Sequence, residues 1–396
     1  MRIGLTTSVM QRGRCGVGQY VLALVRALLA SPEAQRHEFT LFVLQEDMAR
    51  FDFAREAMRI VPVSEFFRPA VRDILWHQTI LPELARKLHL DVLHVPSYRR
   101  MLFAAPCPLV ATIHDLAPFH LAGKYDRARM FYGRVVARRL ARRQDEIIAV
   151  SRHTACDIAA FFGLPRGRIN IVRNGLDHER FHPHAGRDPI DLAAARGIRH
   201  PFFLYVARLE HPAKNHVKLI HAFNRFKAAT GSPWQLVLGG GDWHGAEHIH
   251  AEVRRSPFNS DIFTLGFVPD EELPAWYRAA DGFVYPSAHE GFGLPPVEAM
   301  ACGCAVMSSD RGALAEVVGG AALVIDPDDE DAFAGQLGRF AMDRDLRLDL
   351  RAAGLEHARE FDWKKSAELT LGVYDHAIAS HARAPQFARA MPSEAR

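Results

Sequence analysis

Short apolar runs alternate with amphipathic segments along most of this 396-residue chain. In the first half, six runs have the length of strands: residues 2–7, 39–44, 91–95, 109–113, 146–150 and 169–172. Val21, Leu24, Val25 and Leu28 follow the first run at the 3.6-residue spacing of a helix. Strands that alternate with helices predict a doubly wound parallel sheet.

A second series of strands begins at residue 202. It comprises residues 202–206, 235–239, 262–266, 283–286, 305–307 and 322–325. The segment before it, 181–200, holds prolines, histidines and arginines without periodicity and is predicted to be a linker. The chain therefore predicts an α/β fold of two Rossmann-like domains, 1–180 and 201–360, that face a cleft.

Two carboxylates lie eight residues apart in the segment Glu290-Gly-Phe-Gly-Leu-Pro-Pro-Val-Glu298. Gly291 and Gly293 let backbone N–H groups approach an oxyanion, and the helix predicted to follow places a positive dipole end nearby. Carboxylates accept hydrogen bonds from sugar hydroxyls. The pattern suits a diphosphate flanked by hydroxyls, as in a sugar nucleotide.

The alternative for this segment is a surface turn with two solvated glutamates, because short motifs have frequent chance matches. Its context favours a ligand site. A strand pattern precedes Glu290, another begins near Ala305, and strand, glycine loop, helix and strand form the unit that binds ligands at the carboxyl ends of parallel strands.

The stretch from Gly266-Phe-Val-Pro-Asp-Glu-Glu-Leu273 through the Glu290 segment to Ala315-Glu-Val-Val318 closely resembles the retaining GT-B glycosyltransferases of family 4 (group 1). The resemblance extends from the first strand to about residue 375 and is strongest for bacterial polysaccharide mannosyltransferases. It implies the GT-B fold, retention of stereochemistry without a metal, and a final helix, about 360–382, that crosses back onto the first domain.

The resemblance also assigns roles to residues of the second domain. Glu290 binds sugar hydroxyls of the donor, and Glu298 binds the ribose hydroxyls. The backbone of Gly291, Phe292, Gly293 and Leu294 contacts sugar and phosphate, the backbone of Phe267 and Val268 meets the base, and Arg208 and Lys214 bind the diphosphate. Fixed cations stabilise the charge that develops on a departing diphosphate. Solvated loop cations are the alternative for Arg208 and Lys214.

In the first domain the resemblance places Gly16 and Gly18 near the donor phosphate, His114 beside the transferred sugar, and Asp115 next to it. His114 and Asp115 end a predicted strand, where ligands of parallel sheets bind. A simple turn is the alternative for the glycines, and a structural histidine for His114. Val21 stands where a dinucleotide fingerprint needs its third glycine, which argues against a nicotinamide-dependent dehydrogenase.

The net charge of +3 hides an asymmetry. Residues 1–180 carry 27 Lys and Arg against 17 Asp and Glu, so the first half is basic and the second acidic. Seven arginines with no acid among them are concentrated in one segment: Arg127, Arg129, Arg134, Arg138, Arg139, Arg142 and Arg143. Phe131, Val135, Val136 and Leu140 give this segment an apolar stripe. It predicts either a solvated helix face or peripheral contact with an anionic membrane, and nucleic acid is a weaker option.

Other features set the expected compartment. The sequence contains no run of 18 or more apolar residues, so no membrane span is predicted. Five cysteines (Cys15, Cys107, Cys156, Cys302 and Cys304) indicate no disulfide framework, so we expect a cytoplasmic protein, peripheral on the inner membrane face if the arginines bind lipid. His244, His248 and His250 match no zinc motif, and neither a metal nor a cofactor is expected.

Together these observations predict a hexosyltransferase that uses GDP-mannose, UDP-glucose or a similar donor and a glycan or lipid-linked glycan acceptor. A sugar-nucleotide epimerase of the same architecture is the alternative, and it would need no acceptor. A non-catalytic sugar-nucleotide or glycan-binding protein is a third hypothesis, which the cations Arg208 and Lys214 and both glutamates disfavour.

Overall fold

The computed structural model describes residues 1–13, 16–121, 130–184 and 189–383. The chain forms two compact units. The first comprises Met1–Phe119, a stretch that ends at Gly175, and the last helix. The second comprises Leu176–Asp362.

The first unit is built on a parallel sheet of seven strands in the order β3-β2-β1-β4-β5-β6-β7. The strands are β1 (Arg2–Thr6), β2 (Glu38–Leu44), β3 (Arg59–Val63), β4 (Val92–Val95), β5 (Leu109–Ile113), β6 (Glu146–Ala149) and β7 (Ile169–Ile171). Every residue of β5 is buried, as expected for a parallel strand covered on both faces. The strand order reverses between β1 and β4. A doubly wound sheet binds its ligands beside the carboxyl ends of the two strands at such a reversal.

Helices cover this sheet. The described α-helices of the first unit are α1 (Gly16–Ala30), α2 (Ala70–Lys87), α3 (Ala117–His120), α4 (Arg138–Ala141), α5 (Arg152–Asp157) and, at the end of the chain, α14 (Trp363–Arg383). The buried face of α1 includes Tyr20, Val21, Leu24, Val25 and Leu28, at the predicted helical spacing. Residues of α14 join the same apolar core as α1, so the last helix completes the first unit.

The second unit has a parallel sheet of six strands in the order β10-β9-β8-β11-β12-β13. The strands are β8 (Phe202–Val206), β9 (Gln235–Gly239), β10 (Ile262–Gly266), β11 (Gly282–Tyr285), β12 (Val306–Ser309) and β13 (Leu323–Ile325). Its α-helices are α6 (Pro189–Ala194), α7 (His216–Thr230), α8 (Ala246–Arg255), α9 (Leu273–Ala279), α10 (Leu294–Ala301), α11 (Leu314–Val318), α12 (Glu330–Met342) and α13 (Arg344–Ala358). Here the strand order reverses between β8 and β11.

The structure differs from the sequence-based expectations in three places. Strand β3 was not predicted, because its exposed positions and Pro62 mask the pattern of an edge strand. The boundary between the units lies at Gly175 and Leu176, whereas 180 was expected. The segment expected to be a linker contributes α6 and the buried side chains of Phe181 and Ile198 to the second unit.

The described cysteines are free thiols, three of them buried: Cys107, Cys302 and Cys304. Cys156 is exposed, and Cys15 lies outside the described residues. Within the described parts of the chain, we find no helix long and apolar enough to cross a bilayer.

Candidate active site

Two loops of the second unit follow the strands on either side of its strand-order reversal. The loop after β8 carries Arg208 and Lys214, and the loop after β11 carries Glu290. Backbone bonds join these loops, since the N–H of Ala288 donates to the carbonyl of Ala213 (3.0 Å). The sheet therefore brings together residues 76 positions apart, Lys214 and Glu290.

Lys214 and Glu290 form a direct ion pair, with Nζ 2.5 Å from Oε1. Their side chains are 15% and 17% exposed, so the pair is largely withdrawn from water. The backbone of Lys214 is tied to strand β8, because the hydroxyl of Tyr205 donates to its carbonyl (2.7 Å). The adjacent Asn215 donates through Nδ2 to the carbonyl of Pro286 (2.8 Å). The fold thus holds the lysine in register with the second loop.

Glu290 has two further donors. The hydroxyls of Tyr285 and Ser287 donate to the same Oε1 at 2.9 and 2.6 Å. Burial by itself raises the pKa of a carboxyl, but the charge of Lys214 and these hydrogen bonds outweigh it, so the pKa of Glu290 lies below its ordinary value. Glu290 is therefore a carboxylate at neutral pH.

Glu298 lies on α10 in a different environment. The hydroxyl of Tyr277 donates to its Oε2 at 2.9 Å. Burial dominates here and raises the pKa of Glu298 to about 7, although Tyr277 and the charge of Arg180 lower it in part. The group is therefore poised to gain or lose a proton near neutral pH.

Between the two glutamates the chain turns into α10. Gly293 caps this helix with φ of 93°, a left-handed conformation that residues with a Cβ rarely adopt. Pro295 and Pro296 occupy the first turn, where the fixed φ of proline fits but its missing N–H removes two donors. The N–H groups able to meet an anion at this end are consequently those of the preceding loop and of Leu294. Phe292 is buried, with its ring edge-on to that of Phe361 at 5.8 Å.

Arg208 is half exposed and has two neighbours that orient it. Its Nη2 lies 3.3 Å from Oε2 of Glu210, and its guanidinium lies 4.8 Å from the ring centre of Trp243. Phe267 and Val268, expected near the base, follow β10, and Phe267 is 66% exposed whereas Val268 is buried. A side chain as exposed as that of Phe267 is available for contact with a ligand.

In the first unit, His114 and Asp115 directly follow β5. The ring of His114 lies edge-on to that of Tyr20, with centroids 4.6 Å apart, and no described residue gives its buried Nε2 a hydrogen bond. Burial lowers the pKa of His114 to about 4, partly offset by the charge of Asp115, so the ring is neutral at neutral pH. Asp115 accepts from the N–H of Ala117 (3.0 Å) and so caps α3.

Gly16 and Gly18 form the first turn of α1. Gly16 is exposed, and a Cβ built on it meets nothing within 4 Å. Gly18 is buried, and a Cβ there would lie 2.7 Å from the carbonyl oxygen of Met10. Only Gly18 is therefore required by packing.

Sequence reasoning missed three residues of this site: Tyr277, Tyr285 and Ser287. The tyrosines lie on α9 and β11, where a buried aromatic ring in an apolar pattern is typical of core. Phe283 packs between them, its centroid 5.3 Å from Tyr277 and 5.9 Å from Tyr285. Only Ser287 left a trace in the sequence, as a hydroxyl in a turn three residues before Glu290.

Two models of known protein families match this chain. Residues 194–357 match the family model described as glycosyl transferases group 1, and residues 15–180 match glycosyltransferase family 4. The chain belongs to the family 4, group 1 glycosyltransferases. Together the two models cover most of both units, including the loops that carry Lys214 and Glu290.

Relatives of this glycosyltransferase include several mannosyltransferases. It is 28% identical over 388 residues to the O-antigen chain mannosyltransferase B of Escherichia coli, covering 94% of this chain and 99% of the relative. It is 34% identical over 288 residues to the MMP alpha-(1->4)-mannosyltransferase of Mycolicibacterium hassiacum, covering 69% of this chain and 66% of the relative.

Solved structures show that the fold is GT-B. The Anabaena protein HepE, in complex with UDP and glucose, superposes with a TM-score of 0.74 at 19% identity, covering 95% of this chain and 99% of that one. The sucrose-phosphate synthase of Thermosynechococcus elongatus also gives 0.74, at 20% identity, covering 96% and 100%. At such identities the likeness concerns the fold alone.

Proposed function

We propose that this glycosyltransferase moves a mannosyl group from a nucleoside diphosphate donor to a growing surface glycan or lipid-linked glycan, with retention of anomeric configuration. The observation that carries the proposal is the ionised Glu290, held by Lys214, with Glu298 eight residues further along the same loop and helix. Two relatives that are mannosyltransferases support mannose as the sugar, and one of them is an O-antigen chain mannosyltransferase.

In this proposal the donor binds with its sugar at Glu290 and its ribose at Glu298. The three hydrogen bonds described for Glu290 all end on Oε1, and Oε2 takes part in none of them. Oε2 would accept hydrogen bonds from sugar hydroxyls, and a carboxylate is a strong acceptor for such donors. Glu298 would accept from the ribose hydroxyls in its ionised form.

Transfer breaks the bond between the anomeric carbon and the β-phosphate oxygen. The acceptor hydroxyl oxygen forms the new bond on the same face, and its proton passes to the departing phosphate oxygen, so no protein nucleophile is needed. Lys214 and Arg208 stabilise the negative charge that the leaving diphosphate gains. His114, neutral at neutral pH, would lie beside the sugar and contact its hydroxyls.

The test is a binding and turnover screen of the purified protein. GDP-mannose, UDP-glucose, UDP-N-acetylglucosamine and dTDP-sugars are compared with and without EDTA, and an acceptor glycan is added. We expect one tight donor that carries mannose, slow release of free sugar without acceptor, no effect of EDTA, and a product of unchanged anomeric configuration by NMR. Conversion of a UDP-sugar to its epimer without acceptor, or an inverted product, would overturn the proposal.

We further propose that the arginine-rich segment contacts an anionic membrane surface. Arg134, Arg138, Arg139, Arg142 and Arg143 are exposed; Arg127 and Arg129 lie outside the described residues. Of the apolar stripe, Leu140 is buried, whereas Phe131 is 62% exposed. An exposed aromatic ring among arginines is a combination that suits a lipid interface.

Vesicle sedimentation tests this contact. The double variant Arg138→Glu/Arg139→Glu should lose binding to vesicles that contain phosphatidylglycerol and keep donor affinity. The control is Arg254→Glu/Arg255→Glu, which reverses two exposed arginines of α8 in the second unit. Equal binding by the two double variants would show that the segment is only a solvated face.

A further inference from the structure

Four buried polar side chains form a hydrogen-bonded chain inside the first unit. His94 on β4 lies with Nδ1 2.8 Å from the hydroxyl of Tyr374 on α14, and with Nε2 2.8 Å from the hydroxyl of Thr112 on β5. The Thr112 oxygen lies 3.2 Å from the hydroxyl of Tyr20 on α1. None of the four is more than 2% exposed. The polar chain therefore joins the last helix to the first helix through two neighbouring strands.

All four members are neutral at neutral pH. Burial lowers the pKa of His94 to about 3. Burial also raises the pKa of Tyr20 to about 12, although the hydrogen bond with Thr112 acts in the opposite direction. Neutral imidazole has one N–H donor and one acceptor nitrogen, so His94 donates to one hydroxyl and accepts from the other. Loss of any member leaves a buried partner without its bond, which costs free energy and favours a rearrangement that restores a hydrogen bond.

Tyr20, at one end of this polar chain, is in contact with His114. Their rings meet edge-on, with centroids 4.6 Å apart and planes inclined by 78°. The Tyr20 ring also contacts that of Trp363, the first residue of α14, with centroids 5.7 Å apart. An edge-to-face contact depends on orientation, so a fixed Tyr20 ring favours one orientation of the His114 ring.

We propose that Tyr20, held in place by Thr112 and His94, is a positioning residue that fixes the ring of His114 in the orientation it needs for transfer. The inference rests on the proposed function to the extent that His114 contacts the transferred sugar. The polar chain would then act in transfer as well as in stability. Through Tyr374 and His94 it connects α14, the last helix, to His114 at the end of β5.

The test compares two fully buried threonines whose hydroxyls bind different partners. Thr112→Val removes the hydroxyl inside the polar chain and leaves the Tyr20 side chain itself unmutated. Thr370→Val, the matched control, removes the hydroxyl of another fully buried threonine, which bonds within α14 to the carbonyl of Ser366 (2.7 Å). Thr112→Ser keeps the hydroxyl and should restore the behaviour of the parent.

Kinetics separate positioning from stability. We expect Thr112→Val to lower kcat by about tenfold and to change the donor KM by less than about twofold, because a small misplacement of a reacting group acts on the transition state. Thr370→Val should change kcat by less than about twofold at a similar loss of thermal stability. In a His114→Ala background the effect of Thr112→Val should vanish, since a residue that acts through His114 has nothing left to position.

A second readout needs no turnover. In protein labelled with ¹³C at histidine Cε1, the His114 signal is assigned by its loss in His114→Ala. Thr112→Val should shift or broaden that signal, and Thr370→Val should leave it in place. A protein without transfer activity whose His114 signal responds in this way would refute the proposed function and support the positioning role. An unchanged signal, or equal kinetics for the two valine variants, would overturn the positioning role.

Discussion

Glu290 and Glu298 are the same residue type on one loop and helix, yet their pKa values move in opposite directions. Burial acts on both and raises both. Glu290 lies 2.5 Å from the Lys214 ammonium and accepts from Tyr285 and Ser287, which more than offsets burial. Glu298 accepts a hydrogen bond from the hydroxyl of Tyr277 at 2.9 Å, and the effect of burial is larger, so its pKa is raised.

The difference teaches that the motif supplies two carboxylates of distinct chemistry. One is a fixed anion whose compensating cation comes from another loop. The other changes its protonation near neutral pH and can ionise when a ligand brings hydroxyl donors. The eight-residue spacing alone could not distinguish them, because the decisive partner, Lys214, is 76 residues away in the sequence.

Loss of the fixed anion should have the largest effect. Glu290→Gln keeps the shape but leaves the Lys214 ammonium without its counter-ion and weakens acceptance from the sugar hydroxyls. We expect kcat to fall by about 10²- to 10³-fold, as for removal of one transition-state contact. Steady-state kinetics with the donor found in the screen measure it, and circular dichroism checks the fold.

The control for this variant is Glu247→Gln, a glutamate of the same unit whose side chain is 76% exposed. It should turn over like the parent. Turnover near that of the parent in Glu290→Gln would refute its place in the reaction.

Removal of the cation should make Glu290 resemble Glu298. In Lys214→Met, only the hydroxyls of Tyr285 and Ser287 still oppose the effect of burial, so the pKa of Glu290 should rise. We expect turnover to fall by about 10²-fold at pH 8, because the diphosphate also loses a cation, and to fall further as the pH is lowered. A pH–rate profile measures this.

Lys214→Arg is the conservative partner for that experiment. It keeps the positive charge beside Glu290, so its turnover should not fall further as the pH is lowered, even if the rate at pH 8 is reduced. The same acidic loss in both variants would mean that the lysine charge does not hold Glu290 ionised.

Donor affinity should follow the protonation of Glu298. Because its pKa is raised to about 7 without ligand and ribose hydroxyls favour the carboxylate, affinity should be highest above pH 7 and fall below it. We expect the Kd to rise by about tenfold between pH 8 and pH 6. A sugar nucleotide is the proper probe, since its diphosphate diester does not titrate in this range, and calorimetry in two buffers would also detect the proton released.

Glu298→Gln should remove this pH dependence, and a Kd in the parent that is constant with pH would refute the coupling. The stability of the folded protein should depend on pH in the opposite direction to donor affinity. The protonated form is favoured in the folded protein, so the contribution of Glu298 to stability is present below the ordinary carboxyl pKa and is lost as the pH rises through 7.

The smallest expected effect concerns Tyr277. Its hydroxyl lowers the pKa of Glu298, so Tyr277→Phe should move the midpoint of the affinity profile to higher pH and weaken donor binding at pH 7 by about threefold. Tyr132→Phe, which removes a tyrosine hydroxyl bonded to the carbonyl of Arg99 in the first unit, should leave donor affinity unchanged. A midpoint that moves to lower pH would contradict the assignment.

Much of the fold followed from the sequence because its elements are local. Parallel strands covered on both faces are continuous apolar runs, such as Leu109–Ile113, and amphipathic helices such as Gly16–Ala30 repeat every 3.6 residues. Edge strand β3 escaped prediction, since an edge strand needs no such run. The resemblance to family 4 likewise depended on motifs that are local in sequence, in the stretch from Gly266 to Val318.

The sequence by itself determined the strands, the loops that follow them and the identity of the polar residues on those loops. Only the tertiary structure decided which of these groups meet: Lys214 with Glu290, Tyr277 with Glu298, and Tyr20 with His114. The reason is physical. A carboxyl's pKa and a ring's orientation depend on charges, donors and burial within a few ångströms, and parallel strand order brings those neighbours together from distant parts of the chain.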